Sequence, residues 1–346
     1  MKVLFARVGY MKFFQGPQKG DEKPIGGGAY NKNKIGHEAY NYLDINGLVY
    51  GYFQPHMSPP YDINLERIDP SSNPTTDKID DVLVIWFAKN PIGTGQIIVG
   101  WFNNATVYRS NQSGSGMDER DEYSFYVLAK TADSTLLPIS KRKYSMGHGL
   151  EKTKEGNPGQ ANTFYIYDSA QKLKDANDKH NSWIYKTIKY VRNYSGPKIS
   201  TFEDVVAEEI ETSLFSGGQG FQTDVEKRLV IEEYAMNCCR NHFENNGYTV
   251  EDVSKTKSYD FHVTNGKSEL LVEVKGTQTE AKNIILTKNE VELSKRLGLK
   301  MALFLVHSII LNKKTVKKGS GTIKLIQPWH VIDSKLIPIS YIYDLS

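Results

Sequence analysis

The stretch from Tyr259 to Thr277, YDFHVTNGKSELLVEVKGT, constrains this chain more than any other. Asp260-Phe261-His262-Val263 alternates as a short strand does, and Leu270 to Lys275 is an apolar return strand rich in Val and Leu. Between them stands Asn265-Gly266, a dipeptide suited to a two-residue type I′ turn, where both central residues need positive φ. Such a turn pairs Thr264 with Lys267 and Asp260 with Leu271. Residues directly opposite share a face, and side chains alternate with period two. Asp260, Leu271, Glu273 and Lys275 are therefore expected on one face, with Leu270, Val272 and Val274 turned into a core. A three-residue turn would put Asp260 on the other face.

Two carboxylates and one lysine then converge. Oxygen donors of this kind suit Mg²⁺, which binds through one or two carboxylates and keeps several waters. Mn²⁺ is expected to substitute. The metal would polarise a phosphodiester oxygen and help generate hydroxide at neutral pH. Lys275 would position the attacking water or stabilise charge developing in the transition state. An exposed Glu–Lys pair on a hairpin is the plain alternative.

Asp260 with Glu273-Val274-Lys275 is similar to the signature of the PD-(D/E)XK nucleases, the restriction-endonuclease-like superfamily. A longer pattern, GYTVEDVS (Gly247 to Ser254), YDF (Tyr259 to Phe261), VEVKGT (Val272 to Thr277) and IILTKNEVE (Ile284 to Glu292), resembles the NO VEIN C-terminal domain family, which occurs in bacterial defence-type proteins. The resemblance spans about residues 225 to 310. It implies the nuclease core fold and a Mg²⁺-dependent phosphodiesterase site at Asp260, Glu273 and Lys275. It leaves the substrate open.

At 346 residues the chain is long enough for two domains. Its net charge is only +3, so charge must be read locally. The two cysteines, Cys238 and Cys239, are adjacent and lack zinc-ligand spacing. No signal peptide, membrane span or Walker A pattern is visible, so a cytoplasmic protein without NTP is expected.

Residues 1 to about 110 read as strands and loops. Val3 to Val8, Leu48 to Phe53, Val82 to Phe87, Gln96 to Phe102 and Ala105 to Arg109 are strand candidates, with Asn103-Asn104 as a hairpin turn. Tyr123 to Ala129 and Phe164 to Tyr167 follow. Gly16 to Asn33 is a polar glycine-rich loop without the context of a dinucleotide site. Aromatic residues such as Tyr30, Trp101 and Tyr108 either fill the core or stack on a base. Ala170 to Tyr194 has apolar residues at helical spacing and reads as a basic amphipathic helix. Lys186, Lys189 and Arg192 there, with Arg109, are candidate DNA contacts. A solvated helix face is the alternative.

Ser200 with Glu203 forms a capping box for a helix to about Phe215, and Ser216 to Gly220 breaks it. A second box, Thr223 with Glu226, opens a helix to about Asn245 whose apolar stripe contains Val225, Leu229, Ala235, Met236, Cys239 and Phe243. Glu232 falls in the middle of that stripe and Glu233 at its edge. A lone buried carboxylate is costly unless paired or bound to metal. The nuclease resemblance makes Glu232 the helix-borne acid that completes the metal site. Asn283 to Leu286 reads as a strand. Thr287 with Glu290 caps a helix to about Leu297, and Met301 to Leu311 is an apolar strand. A turn bearing Lys313, Lys314, Lys317 and Lys318 joins it to Thr322–Ile326.

The expected architecture is α+β: a β-rich recognition domain at 1–197, a helical linker at 198–222, and a restriction-endonuclease-like α/β sandwich with a mixed sheet at 223–346. The expected function is a Mg²⁺-dependent DNA endonuclease acting on double-stranded DNA, in restriction or anti-phage defence. Asp260, Glu273 and Glu232 would hold metal and Lys275 would activate water. A homodimer would serve double-strand cleavage. The alternatives are a catalytically inactive nucleic-acid-binding adaptor and a DNA-repair or RNA nuclease.

Overall fold

Runs of Val, Ile and aromatic residues, which pack well on a pleated surface, make this α+β protein richer in strand than in helix. The computed structural model describes residues 1–18, 21–26, 34–56, 58–117, 120, 123–146, 156–159, 161–199, 221–266, 268–281, 284–312 and 315–337, without the side chains of 221–226 and 228. Gly27, Gly28, Tyr30, the Ser200–Glu203 cap with its helix to Phe215, the break at 216–220, Asn283, Lys313 and Lys314 lie outside the described residues. So do the side chains of Thr223, Val225 and Glu226. The chain divides into one unit of Met1–Asn193 with Lys198–Ser200 and a second of Tyr194–Pro197 with Thr201–Ser346. Among the described residues, no helix is long and apolar enough to cross a membrane.

The first unit is built on β1 (Val3–Arg7), β2 (Leu48–Gly51), β3 (Lys78–Lys89), β4 (Gln96–Gln112), β5 (Phe125–Lys130), β6 (Ser134–Leu136) and β7 (Thr163–Tyr165). Their order is β2-β5-β4-β3-β1-β7, with β6 beside β4. Only β1 and β3 are parallel; the other pairs are antiparallel. The expected turn at Asn103-Asn104 is absent, because β4 runs straight through it. Val82 pairs with Ala105 and Val84 with Phe102, so the two asparagines oppose Leu83 alone. They form a bulge in which Asn104 takes φ 49°. Asparagine tolerates left-handed backbone, so it suits a bulge as well as a turn.

Helix α1 (Ser182–Asn193) is shorter than the Ala170–Tyr194 pattern suggested. Asp168, Asp175 and Asp178 accept backbone N–H groups two or four residues on and hold the preceding stretch in turns. Lys172 and Lys174 are therefore off the helix, and Lys174 Nζ donates to the Tyr165 and Tyr167 carbonyls. The stripe Ile184, Ile188 and Val191 is buried as expected.

The second unit contains α2 (Phe221–Asn245), β8 (Thr249–Asp252), β9 (Phe261–Thr264), β10 (Glu269–Gly276), α3 (Lys288–Leu297), β11 (Met301–His307), a short hairpin β12 (Leu311–Asn312) and β13 (Thr315–Val316), and β14 (Thr322–Ile326). The sheet order β14-β11-β10-β9-β8 is mixed, since β10 and β11 are parallel and the other neighbours antiparallel. Ala235, Cys239 and Phe243 of α2 bury against Phe261, Val263, Leu270, Val272, Val274 and Phe304. Leu293 of α3 buries with Leu271, Met301 and Leu303. Alternating residues of β10 thus face different helices, which makes the unit an α/β sandwich.

Three expectations change here. Ile284 to Leu286 is not a strand, and Ile284 and Leu286 pack as loop residues against the α3 side of the core. Helix α2 begins at Phe221, so Thr223 lies within it rather than at its cap. Leu229 is 36% exposed and leaves the apolar stripe.

Candidate active site

The hairpin does not close as its Asn-Gly pair suggested. Thr264 pairs with Glu269, so the loop runs from 265 to 268. Asn265 Oδ1 accepts from the backbone N–H and the hydroxyl of Ser268 at 2.8 and 2.9 Å, and Gly266 takes φ 78°. The register has slipped by two residues. An even slip preserves the face of every side chain, and the continued register sets Asp260 against Glu273 instead of Leu271.

Regular pairing ends at Phe261 and Val272. One residue earlier, Asp260 donates its N–H to the Val272 carbonyl at 3.0 Å, and its Oδ2 accepts the Val274 N–H at 2.9 Å. Strand N–H groups point within the sheet. The Asp260 carboxylate therefore lies in the sheet plane, in place of the missing β9 backbone, rather than projecting from the face that Glu273 and Lys275 share. It is 8% exposed. Burial first, then the Asp260 charge, push the Cys239 thiol well up, so that thiol stays protonated.

Glu273 is 5% exposed. A carboxylate so buried needs a partner, and Lys275 supplies one, its Nζ 3.1 Å from Glu273 Oε1. The same ammonium lies 2.9 Å from Glu290 Oε1, while Glu290 Oε2 accepts the Thr287 N–H at 3.0 Å. Thr287 Oγ1 in turn accepts the Glu290 N–H, completing the expected capping box. Burial raises the Glu290 pKa, but the Lys275 ammonium, then the hydrogen bonds from Lys275, with Glu273 and from Thr287, outweigh it and hold it below the ordinary value. In the sequence pattern Glu290 stands only as a helix cap. Its spacing three residues after Thr287 was visible, but nothing local showed that α3 would carry it back over β10.

Glu232 stands on α2. It is half-buried while Glu233 is exposed. Helix α2 covers the face of Leu270, Val272 and Val274, whereas Lys275 reaches Glu290 on the α3 side. Among the described residues, no three or more His, Cys, Asp or Glu side chains are placed to hold one metal ion. Asp260, just before β9, and Glu273 on β10 are two hard oxygen donors. Such a pair suits Mg²⁺ or Mn²⁺ with water completing the shell.

Residues 231–318 match the family model described as Protein NO VEIN, C-terminal. The matched segment runs from inside α2 to beyond β13 and contains Glu232, Asp260, Glu273, Lys275 and Glu290. No curated protein and no solved structure matched the chain.

Outside the matched segment, two expected DNA contacts are corrected. Trp101 is 3% exposed, edge-on to Tyr190 in the core of the first unit, so its ring has no face for a base. Arg109 forks onto both Glu66 oxygens at 3.1 and 3.3 Å and donates to the Thr76 and Asn73 carbonyls. It ties loops together. Tyr108 is half-buried, edge-on to Phe125, with Lys78 Nζ 5.9 Å from its ring centre. Lys186, Lys189 and Arg192 are exposed on α1, opposite its buried stripe.

Proposed function

We propose that the second unit hydrolyses phosphodiester bonds with Mg²⁺ or Mn²⁺, as a DNA endonuclease of restriction or anti-phage defence. One observation carries this reading. A buried Asp260, the residue before β9, accepts the N–H of Val274, next in sequence to a buried Glu273 on β10, with Lys275 two residues on and bonded to Glu273. Asp260 and Glu273 would hold the metal, which supplies a polarised phosphate oxygen and a water of lowered pKa. Lys275 offers a fixed cation to the scissile phosphate and its attacking water. Glu290 fixes where that cation stands. The defence role rests on the resemblance of the motifs alone.

The test is incubation of purified protein and its Lys275→Ala variant with plasmid and phage DNA, methylated, hydroxymethylated and plain, in Mg²⁺ and Mn²⁺. Lys275-dependent cutting supports the proposal. Total inactivity across the panel counts against it.

A nucleic-acid-binding adaptor is the second reading. The closure of Lys275 between two carboxylates favours it. Metal titration separates the two, since an adaptor shows no Mg²⁺ site that Asp260→Ala abolishes.

A further inference from the structure

The first unit has a row of aromatic rings unlike those of its core. Core rings are sealed: Tyr42 is 5%, Phe53 1% and Trp86 0% exposed. Tyr52, His37, Tyr123 and Tyr40 are half-buried rather than sealed, and they touch in sequence. His37 lies 4.7 Å from Tyr52 at 34°, Tyr123 is edge-on to His37 at 5.6 Å, and Tyr40 lies 4.3 Å from Tyr123 at 36°. The row sits beside β2 and β5, where Gly51 pairs with Val127 at one end of the sheet order.

Buried polar residues hold these rings in place. Arg120, 0% exposed, donates to the Tyr40 and Ser124 carbonyls at 2.9 and 3.0 Å. Asn41, 1% exposed, donates to the Tyr52 carbonyl and accepts the Tyr52 N–H at 2.9 and 2.8 Å. The Ser124 N–H donates to His37 Nδ1 at 2.9 Å, which fixes His37 Nδ1 as an acceptor. Partly exposed rings with rigidly supported backbones are the arrangement expected of a preorganised binding surface.

We propose that this row stacks a nucleobase of the DNA substrate. Stacking on aromatic faces accepts any base and needs no charge. Gln54 accepts from the Tyr52 hydroxyl at 2.8 Å and donates to the His56 carbonyl at 2.9 Å, which leaves its second amide N–H to reach a base edge beside the row. A cationic ligand is disfavoured by the Arg120 guanidinium behind the rings. The base comes from a single strand or is turned out of a duplex. This inference rests on the DNA reading above but not on cleavage.

The test uses full-length protein carrying Lys275→Ala, titrated with oligonucleotides bearing 2-aminopurine, single-stranded and as a mispair in duplex. Stacking quenches the probe. Tyr52→Ala and Tyr123→Ala are expected to weaken binding about tenfold and remove the quench, while Tyr52→Phe and Tyr123→Phe keep both. Gln54→Leu leaves the rings in place and is expected to weaken binding at least threefold, so it decides the matter if an alanine variant does not fold. Quenching confined to one arm identifies the source of the base. Binding and quench unchanged in the alanine and leucine variants, or absent from the unsubstituted rings, overturn the proposal. Cutting by wild type with an insensitive quench would sink this site alone. A Tyr-dependent quench without any cutting would sink the nuclease alone.

Discussion

The Lys275 ammonium stands 2.9 Å from Glu290 Oε1, across the gap between strand β10 and the first turn of helix α3. One carboxylate thus caps a helix and anchors the lysine of an E-x-K strand. Glu290→Gln keeps a side chain that can still cap, since Glu and Gln serve alike there. Stability should fall by less than about 1 kcal/mol, whereas cleavage should fall tenfold or more as Lys275 loses its charged anchor. Thr287→Ala should show the converse, costing about 1 kcal/mol in urea unfolding with cleavage largely kept.

Asp260 is separable in the same way. Asp260→Asn keeps an oxygen to accept the Val274 N–H and should leave urea stability within about 1 kcal/mol of wild type. Asp260→Ala leaves that buried N–H unpaired and should cost about 1–3 kcal/mol. Both should abolish Mg²⁺ binding by calorimetry. Retained metal affinity in Asp260→Asn would remove it from the metal site.

Much of this site was legible beforehand because strand period and apolar alternation survive small errors. The turn differs from the one its Asn-Gly pair suggests, since Asn265 bonds Ser268 with its side chain rather than adopting the two-residue turn. The slip was even, so Glu273 and Lys275 kept their face. Asp260 did not follow alternation because β9 ends before it. The place of Glu232 on α2 follows from helical spacing, but a single helix does not reveal which face of the sheet it will cover. Asn103-Asn104 shows the same limit, as one dipeptide serves turn and bulge alike.

Gly276 marks how tightly α2 meets β10. A Cβ there would stand 2.9 Å from Ala235 Cβ and 3.0 Å from the Ile231 carbonyl oxygen. Gly276→Ala should therefore destabilise the second unit by about 1–3 kcal/mol, read as a lower urea midpoint. An unchanged midpoint would mean the helix shifts freely.

His37 gives a pH signature in the first unit. Burial, then the Arg120 charge, lower its pKa from the ordinary 6.5. A depressed histidine stabilises the fold while neutral, so its contribution is present above pH 6.5 and is lost as pH falls from there toward the lowered value. Thermal unfolding at pH 7.5 and 5.5 should show a loss in wild type that His37→Gln reduces.

The most direct measurement is cleavage of pooled plasmid and phage DNA, modified and unmodified, by wild type beside Lys275→Ala in Mg²⁺. The account predicts discrete cutting by wild type and none by the variant. Equal cutting by both would contradict the role of Lys275, and DNA binding without cutting by either would contradict the nuclease itself.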